Sequence, residues 1–136
     1  MLMINCMLYE KFKEKNVPHC VIECPTELKS LVDFDLLILA VHDAAESSNL
    51  FDIGDVKARL VLSEHYVVGG IKAPYVHTLV HLLSGRSEMQ KKQLADLVTK
   101  AICDLLPNVE MISTEVRDIP RHAYSNRRSI SKSEIS

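Results

Sequence analysis

Apolar and polar residues along the chain follow two periods, one typical of strands and one typical of helices. A mostly apolar run follows Pro18 and another spans residues 75–83, and both predict strands. Apolar positions also recur along residues 56–68 and 109–119, which predicts two longer extended segments. Helical spacing of apolar residues instead predicts helices over residues 35–47 and from Ser87 to Leu105.

Residues that start or stop regular structure lie at the ends of these segments. Asp33 or Asp35 can cap the first predicted helix, and Ser87 with Gln90 has the spacing of a capping box for the second. Glycines 69 and 70 predict a turn after the second extended segment. The boundaries therefore agree with the hydrophobic pattern.

The order of predicted elements is β-α-β followed by β-α-β. A crossover helix makes the two strands of each unit parallel and the connection right-handed. The pattern therefore predicts an α+β, two-layer fold, in which tandem β-α-β units form a four-stranded sheet with two helices on one face. The opposite face of the sheet is left open, so we expect a homo-oligomer that covers it.

The length of 136 residues corresponds to one globular domain. We assign residues 1–17 to an N-terminal extension, residues 18–122 to the domain, and residues 123–136 to a polar, basic C-terminal tail, mobile or ordered on a partner. The longest apolar run, residues 36–41, is far shorter than the roughly 20 residues that a membrane span needs. We therefore expect no membrane contact.

The net charge of −2 averages segments of opposite sign. Residues 18–120 hold nine Lys or Arg and fifteen Asp or Glu, whereas residues 121–136 hold four Lys or Arg and one Glu. The acidic central segment and the absence of Trp argue against nucleic-acid binding. An anionic ligand would need a local cluster of cations on this acidic domain.

Four cysteines, and two pairs of residues of types that bind metals, are candidates for disulfide or metal sites. No signal peptide precedes the domain, so we expect free thiols and a cytoplasmic location. His77 and His81, and likewise Cys20 and Cys24, fall four residues apart on predicted strands. That spacing separates them by about 13 Å, too far to share one zinc ion, so no metal site is predicted.

Three cations are candidates for binding a carboxylate. Arg86 lies in the turn 84–87 between a predicted strand and a helix start, where backbone N–H groups favour an anion. Lys57 and Arg59 alternate onto one face of the second extended segment. Each could equally be a solvated surface residue, and sequence alone leaves both interpretations open.

Pro18 is a candidate for proton transfer under one condition. The nitrogen of an internal proline is an amide, but an N-terminal proline is a secondary amine. In an apolar pocket near cations its protonated form is disfavoured, so it becomes a base at neutral pH.

Three segments together resemble the 5-carboxymethyl-2-hydroxymuconate delta-isomerases of the tautomerase superfamily. They are the residues from Pro18 to Cys24, from Asp55 to Arg59, and from His77 to Ser87, and the resemblance extends over residues 18–124. The most specific pieces are the PHxxxE start and the GRS sequence before the second helix. Their occurrence in the same order and spacing carries the resemblance.

The resemblance implies a tautomerase-like fold, a trimer, and catalysis without a cofactor. Its expected substrate is an anionic 2-hydroxydienoate from homoprotocatechuate breakdown. Pro18 would then move a proton along the conjugated system, Arg86 would bind a carboxylate and stabilise enolate charge, and Arg59 matches an arginine in the second strand of the family. Lys57 stands where the family has arginine, which keeps the charge but loses the bidentate fork.

The resemblance also raises a question about residues 1–17, because family members expose the proline by losing one initiating methionine. Val17 precedes Pro18 here, and valine can be encoded by the start codon GTG. We therefore expect that residues 1–17 are a misassigned start. If residues 1–17 are retained, Pro18 stays acylated and the chain is instead a non-catalytic trimeric anion-binding protein. A second alternative, which does not depend on residues 1–17, is a tautomerase that acts on a different unsaturated keto or enol acid.

Overall fold

The computed structural model describes residues 17–135, so the predicted extension lies outside the described residues except for Val17. Four strands form one sheet: β1 (His19–Pro25), β2 (Lys57–Ser63), β3 (Tyr75–Leu83) and β4 (Met111–Ile119). Two long helices, α1 (Phe34–Ser47) and α2 (Glu88–Leu105), and a shorter C-terminal helix, α3 (Arg127–Ile135), complete the regular structure with two 3₁₀ turns. The predicted α+β fold of two β-α-β units is confirmed.

The strand order is β2-β1-β3-β4. Strands β1 and β2 are parallel, as are β3 and β4, whereas β1 and β3 pair antiparallel. The starts of β1 and β2 and the ends of β3 and β4 therefore meet at one end of the sheet. We call it the Pro18 end, because Pro18 immediately precedes β1.

The core lies between the sheet and the two long helices. Alternate strand residues such as Ile22 and Val80 pack there against Leu37, Leu94 and Ile102, and all five are fully buried. Removing each such side chain from water stabilises the fold by about 1.5–3 kcal/mol. Neither of the two long helices packs on the other side of the sheet, which we call the open face.

Capping residues lie at the starts of both long helices, as the sequence predicts. Asp33, rather than Asp35, caps α1 by accepting a hydrogen bond from the Asp35 backbone N–H. Ser87 and Gln90 form the complete predicted capping box at α2. Each helix therefore begins at the residue after its cap, whose side chain accepts a hydrogen bond from a backbone N–H group that has no partner within the helix.

The largest departures from the predicted boundaries lie in the second extended segment and in the C-terminal tail. The second extended segment ends at Ser63 instead of residue 68, because the chain leaves the sheet there and forms a bridge between Val68 and Ile71 around the predicted glycine turn. The C-terminal tail contains the helix α3, whereas a mobile arm or an arm ordered on a partner was predicted. Asn126 caps the start of this helix, because its side-chain oxygen accepts a hydrogen bond from the Ser129 backbone N–H.

Candidate active site at the Pro18 end of the sheet

Pro18 lies inside the fold at the point where β1 begins. Val17 is fully buried and Pro18 is also buried. The Pro18 carbonyl accepts a hydrogen bond of 3.1 Å from the Lys57 backbone N–H, which joins it to the start of β2. In a chain that includes Val17, the Pro18 nitrogen is an amide and cannot accept a proton.

Lys57 and Arg59 project from β2 onto the open face, two residues apart, and both are exposed. The register pairs Lys57 with His19 and Arg59 with Val21. The Lys57 ammonium donates to the Asp55 carbonyl at 2.6 Å, and Arg59 Nη1 lies 3.3 Å from His19 Nδ1. The structure therefore brings these two cations together beside the first residue of β1.

Arg86 reaches the same end of the sheet from the turn after β3, but its guanidinium is engaged by the main chain. It donates to the Leu83 carbonyl at 3.1 Å and to the Leu50 carbonyl at 2.8 Å. Its guanidinium carbon also lies 5.3 Å from the centre of the Phe51 ring. Arg86 thus links the turn after β3 to the loop that leads into β2, and its predicted role as a carboxylate ligand stays a prediction.

The turn before Arg86 requires glycine at position 85, both for its backbone conformation and for the space around it. Its φ of +132° lies in a region that side-chain-bearing residues rarely adopt. A Cβ there would also lie 3.2 Å from Arg121 Nη2, and Arg121 Nε donates to the Ser84 carbonyl at 2.8 Å. The turn therefore places the Arg121 side chain against Ser84 and Gly85, the two residues that precede Arg86.

Sequence reasoning assigned no role to two residues beside the candidate site, His19 and Asp55. Burial, followed by Lys57, Arg59 and His81, lowers the pKa of His19. Burial raises the pKa of Asp55, whereas Lys57 and Arg128 oppose that rise. Alternation along the two strands could have placed His19 on the face of Arg59, but the approach of Arg128 from the C-terminal tail has no signal in the sequence.

The histidine pair and the cysteine pair that are spaced four residues apart do not form a metal site. His77 and His81 lie on β3, on the open face, and Cys20 and Cys24 are buried free thiols on the opposite face of β1. Across residues 17–135 there is no cluster of three or more His, Cys, Asp or Glu side chains that could hold a metal ion. Nor is any helix in that range long and apolar enough to cross a membrane.

The two described cavities lie away from Pro18. One of about 300 Å³ adjoins Pro25 at the end of β1, and one of about 370 Å³ adjoins Tyr75 and Met111 at the starts of β3 and β4. Both therefore sit at the opposite end of the sheet. Lys57 and Arg59, by contrast, are exposed at the Pro18 end, and Arg86 there is partly buried.

Comparison with known proteins gives a family match and a set of similar folds. The family model described as 5-carboxymethyl-2-hydroxymuconate isomerase matches residues 18–130. A search of curated protein sequences finds no match to the chain.

Similar solved structures include two isomerases and one tautomerase trimer. The 5-carboxymethyl-2-hydroxymuconate isomerase from Deinococcus radiodurans has a TM-score of 0.72 at 19% identity, covering 87% of this chain and 96% of that one. A 5-carboxymethyl-2-hydroxymuconate delta-isomerase has a TM-score of 0.68 at 15% identity, covering 91% and 96%. A fused 4-OT described as an asymmetric trimer has a TM-score of 0.66 at 19% identity, covering 80% and 92%. At these identities the structures establish a shared fold.

Proposed function

The chain belongs to the 5-carboxymethyl-2-hydroxymuconate isomerase family, and on that premise we propose that it shifts a double bond in 5-carboxymethyl-2-hydroxymuconate or a similar 2-hydroxydienoate. The reaction would serve the breakdown of homoprotocatechuate. The observation that carries this proposal is the position of Pro18, which starts β1 beside two cations of β2, Lys57 and Arg59.

In the proposed reaction, Pro18 is the N-terminal residue and its secondary amine is the acid and base. Burial and the positive charges of Lys57 and Arg59 disfavour the ammonium form, so the amine is free to accept a proton at neutral pH. It takes the proton of the 2-hydroxy group as the enol becomes a ketone, and returns one proton to a carbon of the conjugated system. The double bond moves, no electron is gained or lost, and the amine is restored.

The cations of the site would bind the substrate and its developing charge. Lys57 and Arg59 are exposed on the face that also carries His19, which suits contact with a carboxylate. We propose that the Arg86 guanidinium, which donates to two main-chain carbonyls, also meets a second carboxylate or the enolate oxygen. No cofactor takes part in this scheme.

The proposed enzyme is a homotrimer. The open face of the sheet includes apolar side chains that are about half exposed, among them Val61 at 46% and Met111 at 53%. The strands β2 and β4 are both edges of the sheet, with unpaired backbone groups available to a neighbouring chain. Covering this face and these edges with further copies would also enclose the Pro18 end as a pocket.

Kinetics of a chain that begins at Pro18 test this proposal. The assay follows the ultraviolet absorbance of 2-hydroxymuconate as it ketonises. Pro18→Ala and Arg86→Ala should each lose activity, about a hundredfold or more for Pro18→Ala, since a positioned acid or base contributes at least that factor. Lys92→Ala, on the exposed face of α2, is the matched control. Retained turnover in both Pro18→Ala and Arg86→Ala would rule out the mechanism.

A second candidate function follows from the buried peptide bond between Val17 and Pro18. If the native protein keeps its first 17 residues, that bond blocks the amine and the chain would be a trimeric anion-binding protein without catalysis. Mass spectrometry of the protein from its native host decides between the two. A mass that includes residues 1–16 would exclude a catalytic amine at Pro18.

The identity of the substrate depends on Lys57. An ammonium binds a carboxylate as a point charge, whereas the arginine that the family has at this position can bind it bidentately. A tautomerase acting on a different unsaturated keto or enol acid is therefore the alternative within enzymes. Comparing kcat/KM for 2-hydroxymuconate and its 5-carboxymethyl derivative, in the natural protein and in Lys57→Arg, separates these substrates.

A further inference from the structure

A contact between β1 and β2 directs one of the site cations towards Pro18. In the strand register Arg59 lies opposite Val21, so its diagonal neighbours on the open face of β1 are His19 and Glu23. The guanidinium contacts His19, with Nη1 3.3 Å from Nδ1. Within residues 17–135 no ion pair joins Arg59 to Glu23 or to any other carboxylate. The side chain therefore points back along the sheet to its Pro18 end.

The chemistry of the two groups fixes the charge state of His19 in this contact. A guanidinium has only donors, so His19 Nδ1 must be the acceptor. An imidazole that accepts at Nδ1 is neutral and carries its proton on Nε2. Protonation would place a second N–H against the guanidinium and break the contact.

The groups around His19 favour its neutral form. Lys57 lies opposite His19 on β2, and Arg59, also on β2, contacts the ring. His81 lies opposite His19 on β3. Burial and these three groups, which are cationic or become so on protonation, lower the pKa of His19 from its ordinary 6.5. The opposite side of β1 packs on the apolar core, so no carboxylate faces the ring from there.

Two like charges lie close together at this end of the sheet, and the Asp55 carboxylate, which interacts with Lys57, offsets part of their repulsion. Lys57 and Arg59 are like charges on the same face of one strand, and the Arg59 side chain is turned towards Lys57 rather than away from it. Elsewhere on the open face the pairing is different, since Arg117 donates to the Glu115 carboxylate at 2.6 Å. The contact with His19 thus holds the Arg59 guanidinium at the Pro18 end, where its positive charge favours binding of a carboxylate.

We propose that His19 is a positioning residue, whose neutral ring holds the Arg59 guanidinium at the Pro18 end, where it binds one carboxylate of a small unsaturated dicarboxylate. This inference rests on the proposed function, of which it is a refinement. His19 acts through Arg59, and its loss changes how the substrate is held rather than how the proton moves. The expected signature is therefore in KM, with kcat nearly unchanged.

Two substitutions at His19 separate positioning from folding. His19→Asn keeps an oxygen acceptor close to the place of Nδ1, whereas His19→Leu removes the acceptor at similar bulk. His77→Leu is the matched control, because His77 is another open-face histidine but is bonded to Ser113 at 2.7 Å, two rows away. Thermal unfolding of every variant checks that each remains folded.

Kinetics between about pH 5 and pH 8 give the first readout. His19→Leu should raise KM about tenfold, the equivalent of one hydrogen bond to a charged group, and leave kcat within about twofold. In the natural sequence KM should rise as the pH falls below 6.5, where His19 begins to protonate, and that rise should be absent in His19→Asn. An unchanged KM in His19→Leu, or a KM in His19→Asn as high as in His19→Leu, would overturn the proposal.

Binding of fumarate gives a second readout that does not depend on turnover. Fumarate is a small unsaturated dicarboxylate, and calorimetry on the same chains measures its Kd. We expect His19→Leu to weaken binding about tenfold and His19→Asn and His77→Leu to leave it unchanged. Failure of the proposed function appears as no isomerisation by any chain. Failure of the positioning role appears as equal fumarate affinity for the natural sequence and for His19→Leu, or as no binding to either.

Discussion

Arg86 offers a direct measure of how the loops at the Pro18 end are held together. Its guanidinium donates to the Leu83 carbonyl, three residues before it, and to the Leu50 carbonyl, 36 residues before it. It also stacks over Phe51, which is buried in the core. Replacing Arg86 by methionine keeps the aliphatic stem but removes both of these hydrogen bonds and the positive charge.

The expected loss of stability follows from these contacts. Each hydrogen bond from a charged donor contributes about 1.5–3 kcal/mol when buried, and we take about 1 kcal/mol here because Arg86 is only partly buried. The interaction of the guanidinium with the Phe51 ring adds about 0.5–1 kcal/mol. Arg86→Met should therefore lower the free energy of unfolding by about 2–3 kcal/mol. Arg86→Lys should recover less than half of this, because one ammonium cannot reach both carbonyls in the same geometry.

Urea denaturation followed by circular dichroism measures this difference, at one fixed protein concentration because association also stabilises. The midpoint should fall while the slope with urea stays constant. Lys92→Met, on the exposed face of α2, is the control and should change stability by less than about 0.5 kcal/mol. A loss below about 0.5 kcal/mol in Arg86→Met would refute the role of Arg86 as a link between the two loops.

Three further predictions concern the core, a helix end and the thiols. Thr78 is fully buried, and within residues 17–135 its hydroxyl has no hydrogen-bond partner. Thr78→Val should therefore raise the free energy of unfolding by about 1 kcal/mol. A loss of stability in urea would show that the hydroxyl is bonded. Ser87→Ala removes the cap of α2 and should cost about 1 kcal/mol in the same assay, whereas Ser87→Asp should cost much less; equal losses would contradict the cap. Burial raises the pKa of Cys20 to about 12 and of Cys24 to about 11, whereas Cys103 is exposed. In a chain that begins at Pro18, an aromatic disulfide reagent at about pH 8 should thus label one thiol quickly and the other two only on unfolding, and rapid labelling of all three would contradict the buried positions.

The elements of this fold could be predicted because their signals are local. The capping box at Ser87 and the helical spacing that follows it lie within one stretch of chain, and the same holds for the strand after Pro18. The antiparallel pairing of β1 with β3 was not predicted, because the order of two β-α-β units in one sheet depends on contacts between them. The helix α3 was missed because most of its residues are polar, and only Ile130 and Ile135 are apolar.

The candidate site could be predicted only in part, for a similar reason. Alternation along β2 places Lys57 and Arg59 on one face, and the structure has them there. The partners of Arg86 are backbone carbonyls, one of them in a distant loop, and no side-chain pattern identifies a carbonyl as an acceptor. The contact of Arg59 with His19 depends on strand register, which the sequence did not specify.

The proposal as a whole depends on whether the nitrogen of Pro18 is an amine. The most direct test compares two chains in the ultraviolet ketonisation assay, one made from Met1 and one made from Met–Pro18, from which the methionine is removed. If the amine is the base, only the shorter chain converts 2-hydroxymuconate, because Val17 acylates Pro18 in the longer one. Equal activity of the two chains would contradict proton transfer by Pro18.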